Sequence, residues 1–208
     1  MTASWYAGGV FHMSVVIGIC GDNFCSLVAD TQKVRFTPDG TPFADGAMSK
    51  IMQVNNKTLL GSTGIFSIAE DPFSIALTND HTVSAKMIRN RLIDIGKKAP
   101  ALIKSQRNYI IGGKDKDGHF YQYQLHWDND KQKFEGMVWR PRSGQYGVSV
   151  ALPSSLNDRR DSVIELVHEC ITDNKTHGQL IESVKSIVCE LAQHDVSINA
   201  KPEVVSIF

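Results

Sequence analysis

Apolar positions along this chain fall into short blocks that favour strands, then helices, then strands and helices again. Residues 14–20 and 24–30 are two apolar runs separated by Gly21-Asp22-Asn23, which predicts a β-hairpin with a tight turn. Antiparallel pairing centred on Asp22 sets Ser14 across from Asp30 and Cys20 across from Phe24, so Cys20 and Cys25 are expected on opposite faces. Residues 31–48 are polar, carry Gly and Pro, and have no hydrophobic period; a loop is expected there. Residues 50–54 and 58–63 flank Asn55-Asn56-Lys57 as a second hairpin, which ends at Gly64. Asp71-Pro72 has the chemistry of a helix N-cap followed by a first-turn proline, and Ala85, Ile88, Leu92 and Ile95 keep a helical period. Two helices are expected, the first short or broken. Residues 108–113 and 119–126, joined through Asp117-Gly118, form a third predicted hairpin with 134–139 as its neighbour. One helical stripe follows through Val163, Leu166, Val167, Cys170 and Ile171, another through Leu180, Val184, Ile187, Val188 and Leu191, and residues 203–207 close the chain as a strand.

Blocks of strands interrupted by helix pairs imply antiparallel sheets with segregated helices, the α+β class. The 208 residues, 42% of them hydrophobic, suffice for one domain with a substantial core. Lysine plus arginine balances aspartate plus glutamate at 22 each, which leaves no electrostatic footprint for nucleic acid or an anionic membrane. No apolar run reaches the roughly 20 residues of a membrane helix, and the first nine residues lack the basic start of a signal peptide; a soluble, cytoplasmic protein is expected. Cys170 and Cys189 sit on apolar stripes, where a free cysteine acts as a small hydrophobe, and a reducing compartment fits this usage. Histidines and cysteines share no ligand spacing, so neither a metal nor a cofactor is expected.

Several short signatures recur together. Ser14-x3-Gly18, the strand end Leu27-Val28-Ala29-Asp30, Lys50-Ile51, Gly61-x2-Gly64, Ile111-Gly112-Gly113 through Tyr121, and His194-Asp195 leading to Val204-Val205-Ser206-Ile207 stand in an order that resembles proteasome β-type subunits and their bacterial relative HslV. The resemblance covers nearly the whole chain from Ser14, with residues 1–13 as an extension or propeptide and 14–208 as one domain. It implies the N-terminal-nucleophile hydrolase fold, a four-layer αββα sandwich with two antiparallel sheets between helix layers.

It also implies a chemistry. In such enzymes the first residue of the mature chain attacks an amide carbonyl while its own α-amino group takes the proton, which requires that amine to be free. Ser14 stands at the nucleophile position, where the family more often has threonine; Lys50 matches the lysine that tunes nucleophile and amine, and Asp30 the carboxylate that keeps the lysine charged. Gly64 matches the residue whose N–H receives the oxyanion, and Asp195 an acidic residue that orients the nucleophilic end. Gln32 follows the HslV pattern. The chain departs from the family where Met13 precedes the nucleophile, where Ile198 stands for a supporting serine with Ser197 one place away, and where either Ser154-Ser155 or Ser143-Gly144 replaces a Gly-Ser-Gly-Ser element. Two function classes follow. One is a peptidase or small-amide hydrolase working within a homo-oligomer, with a ring and an ATPase partner as the family's habit. The other is a non-catalytic structural or assembly subunit that keeps its extension.

Overall fold

The computed structural model of the chain describes residues 10–12, 14–37, 39, 41–66, 82–98, 107–174 and 176–208. Its strands, in chain order, begin with β1 (Val10–His12), β2 (Val16–Cys20) and β3 (Cys25–Ala29). The β2–β3 hairpin forms as expected, but in a different register. Gly21 N–H donates to the Phe24 carbonyl at 2.9 Å, leaving Asp22-Asn23 as a two-residue loop, and Cys20 pairs with Cys25 and Val16 with Ala29. Val15, not Ser14, therefore faces Asp30, and the two cysteines share a face. They are joined as a disulfide with Cα atoms 4.2 Å apart, the close approach of a cross-strand pair that exchanges no backbone hydrogen bonds. Cys170 and Cys189 are free and half-buried.

The expected loop at 31–48 is a second correction, since β4 (Gln32–Phe36) and β5 (Pro42–Ala47) form a hairpin there. β5 is a sheet edge whose positions are mostly exposed, and Lys33 and Arg35 both pair with Asp45 at 2.8 Å across the two strands. β5 offers no hydrophobic alternation, and that of β4 is only Val34 and Phe36 set between the ion-paired Lys33 and Arg35, too short to stand out from a polar stretch. β6 (Ile51–Asn55) and β7 (Thr58–Phe66) realise the next hairpin, while Asp71-Pro72 lies outside the described residues.

Helix α1 (Ala85–Lys98) starts on Ser84, whose Oγ accepts the Met87 N–H, and ends on Lys97 and Lys98, which suit the negative end of the helix dipole. After it come β8 (Arg107–Lys114), β9 (Phe120–Asp128), β10 (Lys133–Trp139) and β11 (Gly147–Ala151), then a 3₁₀ turn at Ser154–Arg159. Two helices, α2 (Arg160–Asp173) and α3 (His177–Leu191), precede β12 (Glu203–Ile207); Thr176 caps α3 by accepting the Gln179 N–H. Among the described residues no helix is long and apolar enough to cross a membrane.

The chain is mixed α+β, with an eight-stranded sheet in the order β10-β9-β8-β7-β1-β4-β5, to which β6 adds on β7, and a four-stranded sheet in the order β11-β2-β3-β12. Every described strand pairing is antiparallel. Three apolar clusters hold these elements. One sets Ile17, Ile19, Val28 and Val150 of the four-stranded sheet against Val163, Val167, Val184 and Val188 of α2 and α3. A second joins the opposite face of that sheet, Val16, Leu27 and the disulfide, to Leu59 and Ile110 of the larger sheet. The third packs Ile88 and Leu92 of α1 on Tyr109, Ile111 and Tyr123. All five residues of β2 and of β3 are buried because both faces of these strands are covered.

Backbones of the two sheets approach closely where side chains are missing. A Cβ on Gly18 would lie 2.5 Å from Gln122 Oε1 and 2.7 Å from Ile110 Cγ2, and one on Gly61 would lie 2.7 Å from Val16 Cγ1.

Candidate active site

One edge of β7 is shared by two partners. β6 covers it from Thr58 to Gly61 and β1 from Gly64 to Phe66, leaving a break at Ser62 and Thr63. The segment entering β6 and the segment leaving β1 both border that break, so Lys50 and Ser14 arrive at one place from opposite directions along the chain. Ser62 N–H donates to the Lys50 carbonyl at 3.1 Å and fixes the lysine's backbone there. Gly64, at the far side of the break, pairs with His12 and has φ of +119°, a conformation that a residue with a Cβ adopts only with strain.

Within this corner Ser14 and Asp30 are fully buried and Lys50 nearly so. The Lys50 Nζ donates a short hydrogen bond to Ser14 Oγ and a second, at 2.6 Å, to the Gln32 carbonyl. Asp30 serves the backbone: Oδ1 accepts the Val15 N–H at 2.9 Å and Oδ2 the Gln32 N–H at 2.7 Å. It thus positions both chain segments that Lys50 touches, and acts on the ammonium through its field. Burial pushes the Asp30 carboxyl up to about 6, with Lys50 and the N–H donors working against that rise. Burial likewise lowers Lys50 from the ordinary lysine value, opposed by the negative charges of Asp30 and Glu203. Such a lysine is brought nearer the range in which it exchanges a proton, and its contact with a buried hydroxyl favours the developing alkoxide.

Of the residues expected from sequence, Ser14, Asp30 and Lys50 meet, and Gly64 lies across the break in β7 from Lys50. Asp195 bonds to Ser155 Oγ through Oδ2 and accepts the Ser197 N–H through Oδ1 at 2.7 Å. Of the two serine segments left open by the sequence, Ser154-Ser155 is the one that reaches Asp195. The Ser143-Gly144 turn instead meets the tip of the β2–β3 hairpin, where Gly144 N–H donates to Asp22 at 3.3 Å. Ser197 is buried and its Oγ has no hydrogen-bond partner among the described residues.

Two residues were not singled out for what they do here. Asn199 accepts the Thr31 N–H at 3.1 Å and so holds the segment between Asp30 and Gln32. Glu203 accepts the Lys50 and Ile51 N–H groups on one oxygen. Neither follows from local pattern, since both reach the site only through the pairing of β12 with β3.

No protein-family model matches the chain, nor does any curated protein. Solved structures do. Anbu (ancestral beta-subunit) from Yersinia bercovieri superposes with a TM-score of 0.56 at 11% identity, covering 92% of this chain and 80% of that one. An Anbu Gly-1 mutant from Hyphomicrobium sp. strain MC1 gives 0.54 at 11%, covering 94% and 81%. The Anbu complex of Pseudomonas aeruginosa, described as a helical assembly, gives 0.55 at 9%, covering 92% and 80%. At these identities the likeness is one of fold. It corrects the resemblance to HslV and the proteasome β-type subunits: the similar structures are Anbu proteins, proteasome-like but a distinct family.

Proposed function

We propose that this chain is a proteasome-like subunit that cleaves amide bonds with Ser14 as its nucleophile after the Met13–Ser14 bond is broken. The observation that carries this reading is the Lys50 ammonium on Ser14 Oγ, inside a buried corner that also holds Asp30. While Met13 is attached, the Ser14 nitrogen is an amide and accepts no proton. Release of residues 1–13 supplies an α-amine with an unperturbed pKa near 8, and the neighbouring ammonium lowers it toward neutrality. That amine then takes the hydroxyl proton as Oγ attacks, Lys50 stabilises the alkoxide, and the Gly64 N–H faces the oxyanion. Asp195, bonded to Ser155 and the Ser197 N–H, orders the turn that leads to Asn199 and through it to Thr31 beside Asp30.

The substrate we assign is an extended peptide. β1 lies between β7 and β4 with His12 opposite Gly64 and Phe11 opposite Val34, so residues 10–12 run as a strand that ends one residue before the Met13–Ser14 bond. A peptide replacing it gains the same main-chain pairing and brings its scissile carbonyl to the same point. The three apolar clusters are consistent with the layers of an αββα sandwich, and the helical assembly named for the Pseudomonas aeruginosa complex supports self-association of this chain.

One observation favours the second reading, a non-catalytic subunit: β1 is built into the larger sheet as one of its members. A fusion whose removal leaves Ser14 first distinguishes the two. The expected result is hydrolysis of a fluorogenic peptide and acylation of Ser14, both lost in Ser14→Ala. A folded Ser14-first protein that hydrolyses nothing, or hydrolysis that survives Ser14→Ala, overturns the enzymatic reading.

A further inference from the structure

Glu203 opens β12 in the four-stranded sheet, whereas Lys50 precedes β6 in the eight-stranded one. A single atom joins them. Glu203 Oε1 accepts the N–H of Lys50 and, at 3.1 Å, that of Ile51. Hydrogen bonds from backbone N–H to an ionised carboxylate are roughly twice as strong as neutral ones. The backbone of Glu203 pairs in turn with Ala29, the residue before Asp30. One residue therefore abuts both charged members of the corner, and the charges facing Lys50 are Asp30 from the end of β3 and Glu203 from the start of β12.

We propose that Glu203 is the positioning residue of the Lys50 ammonium: it pins the lysine's backbone with two hydrogen bonds and supplies the second negative charge of the site. The inference rests on the role proposed for Lys50. Its geometric half explains why Nζ points at Ser14. With the Lys50 N–H held by Glu203 and its carbonyl by Ser62 N–H, the main chain is fixed on both sides of Cα, and from there the side chain reaches the Ser14 and Gln32 oxygens. Its electrostatic half addresses a deficit. Asp30 alone must both compensate a buried cation and satisfy two N–H groups, and a second carboxylate shares the first task.

Two variants separate these halves. Glu203→Gln keeps an oxygen for both N–H groups and removes the charge; Glu203→Ala removes both. The probe is the ¹³Cε signal of Lys50 in ¹³C-lysine-labelled protein, assigned by its loss in Lys50→Met and titrated with pH in the full chain. In Glu203→Gln the Lys50 midpoint is expected to fall by at least about half a pH unit, as the loss of one nearby charge requires. In the Ser14-first protein, Glu203→Ala is expected to lower kcat about tenfold with KM within about twofold, and Glu203→Gln to recover most of kcat at a pH below its own Lys50 midpoint. A Lys50 titration in Glu203→Gln that overlays the wild type overturns the proposal, even if Glu203→Ala unfolds. Absence of hydrolysis in the Ser14-first protein sinks the enzymatic reading instead and leaves the titration to decide on Glu203.

Discussion

Asp30 is a carboxyl group that folding makes harder to ionise. Its value rises from the ordinary 3.8 to about 6, so between these pH values the folded chain holds a proton that the unfolded chain releases. Stability then falls as pH rises through that window, by an amount on the order of 3 kcal/mol for this group alone. Urea unfolding at a series of pH values should show that decline in the wild type and a flatter profile over pH 4–6 in Asp30→Asn. Gly64 sets a second constraint at this scale. With φ at +119°, Gly64→Ala should cost about 1–3 kcal/mol of stability, read from urea midpoints, and should lower kcat in the Ser14-first protein because the strained peptide carries the proposed oxyanion N–H. Ser14 and Asp30 were legible because they bound the strongly apolar β2–β3 hairpin, whereas Lys50, ahead of the half-exposed β6, stood out only through the family resemblance. Asn199 and Glu203 were not, since their partners lie in distant segments and nothing in their own neighbourhoods marks them.

Strands and helices tell a graded story. Elements with an apolar face, such as α3 and the β8–β9 hairpin, stand close to where periodicity puts them. The β2–β3 register shows the limit: whether the loop holds two or three residues is invisible to hydrophobic pattern when both faces are buried, and a one-residue difference moved the cysteines from opposite faces to a bond. β5 escaped because this edge strand carries no apolar alternation, and β4 because its alternation, Lys33-Val34-Arg35-Phe36, spans only two apolar positions between ion-paired side chains. β11 also went unassigned, although its five residues are buried. Close sheet-to-sheet contact at Gly18 and Gly61 yields a further expectation. Gly18→Ala puts a methyl against Gln122 and Ile110, and should destabilise by about 1–3 kcal/mol with an unchanged urea m-value. A Gly18→Ala protein as stable as wild type would mean that the sheets separate more easily than their packing implies.

At the scale of the whole molecule, the leader and the site are one construction. β1 shares an edge of β7 with β6 and bridges to β4, so removing residues 1–13 takes a member from the middle of the larger sheet. Hydrogen exchange on the Ser14-first protein should report faster exchange at residues 64–66 and at Val34 than in the full chain. An extended peptide bound in place of β1 should slow it again; exchange that is unaffected by leader removal would show that β1 contributes no pairing there.

The four-stranded sheet has one more consequence, for how this protein is born. Both flanks of the β2–β3 hairpin come from the far end of the polypeptide, and Ser26 meets Ser206 across 180 positions. On the ribosome the hairpin emerges well before β11 and β12, and its apolar edges stay bare until they follow. Nascent chains of this topology are slow to nucleate and prone to capture by their neighbours. The contact between Lys50 and Glu203 joins residues 153 positions apart, so the corner gains that carboxylate only once β12 has followed β6 out of the exit tunnel.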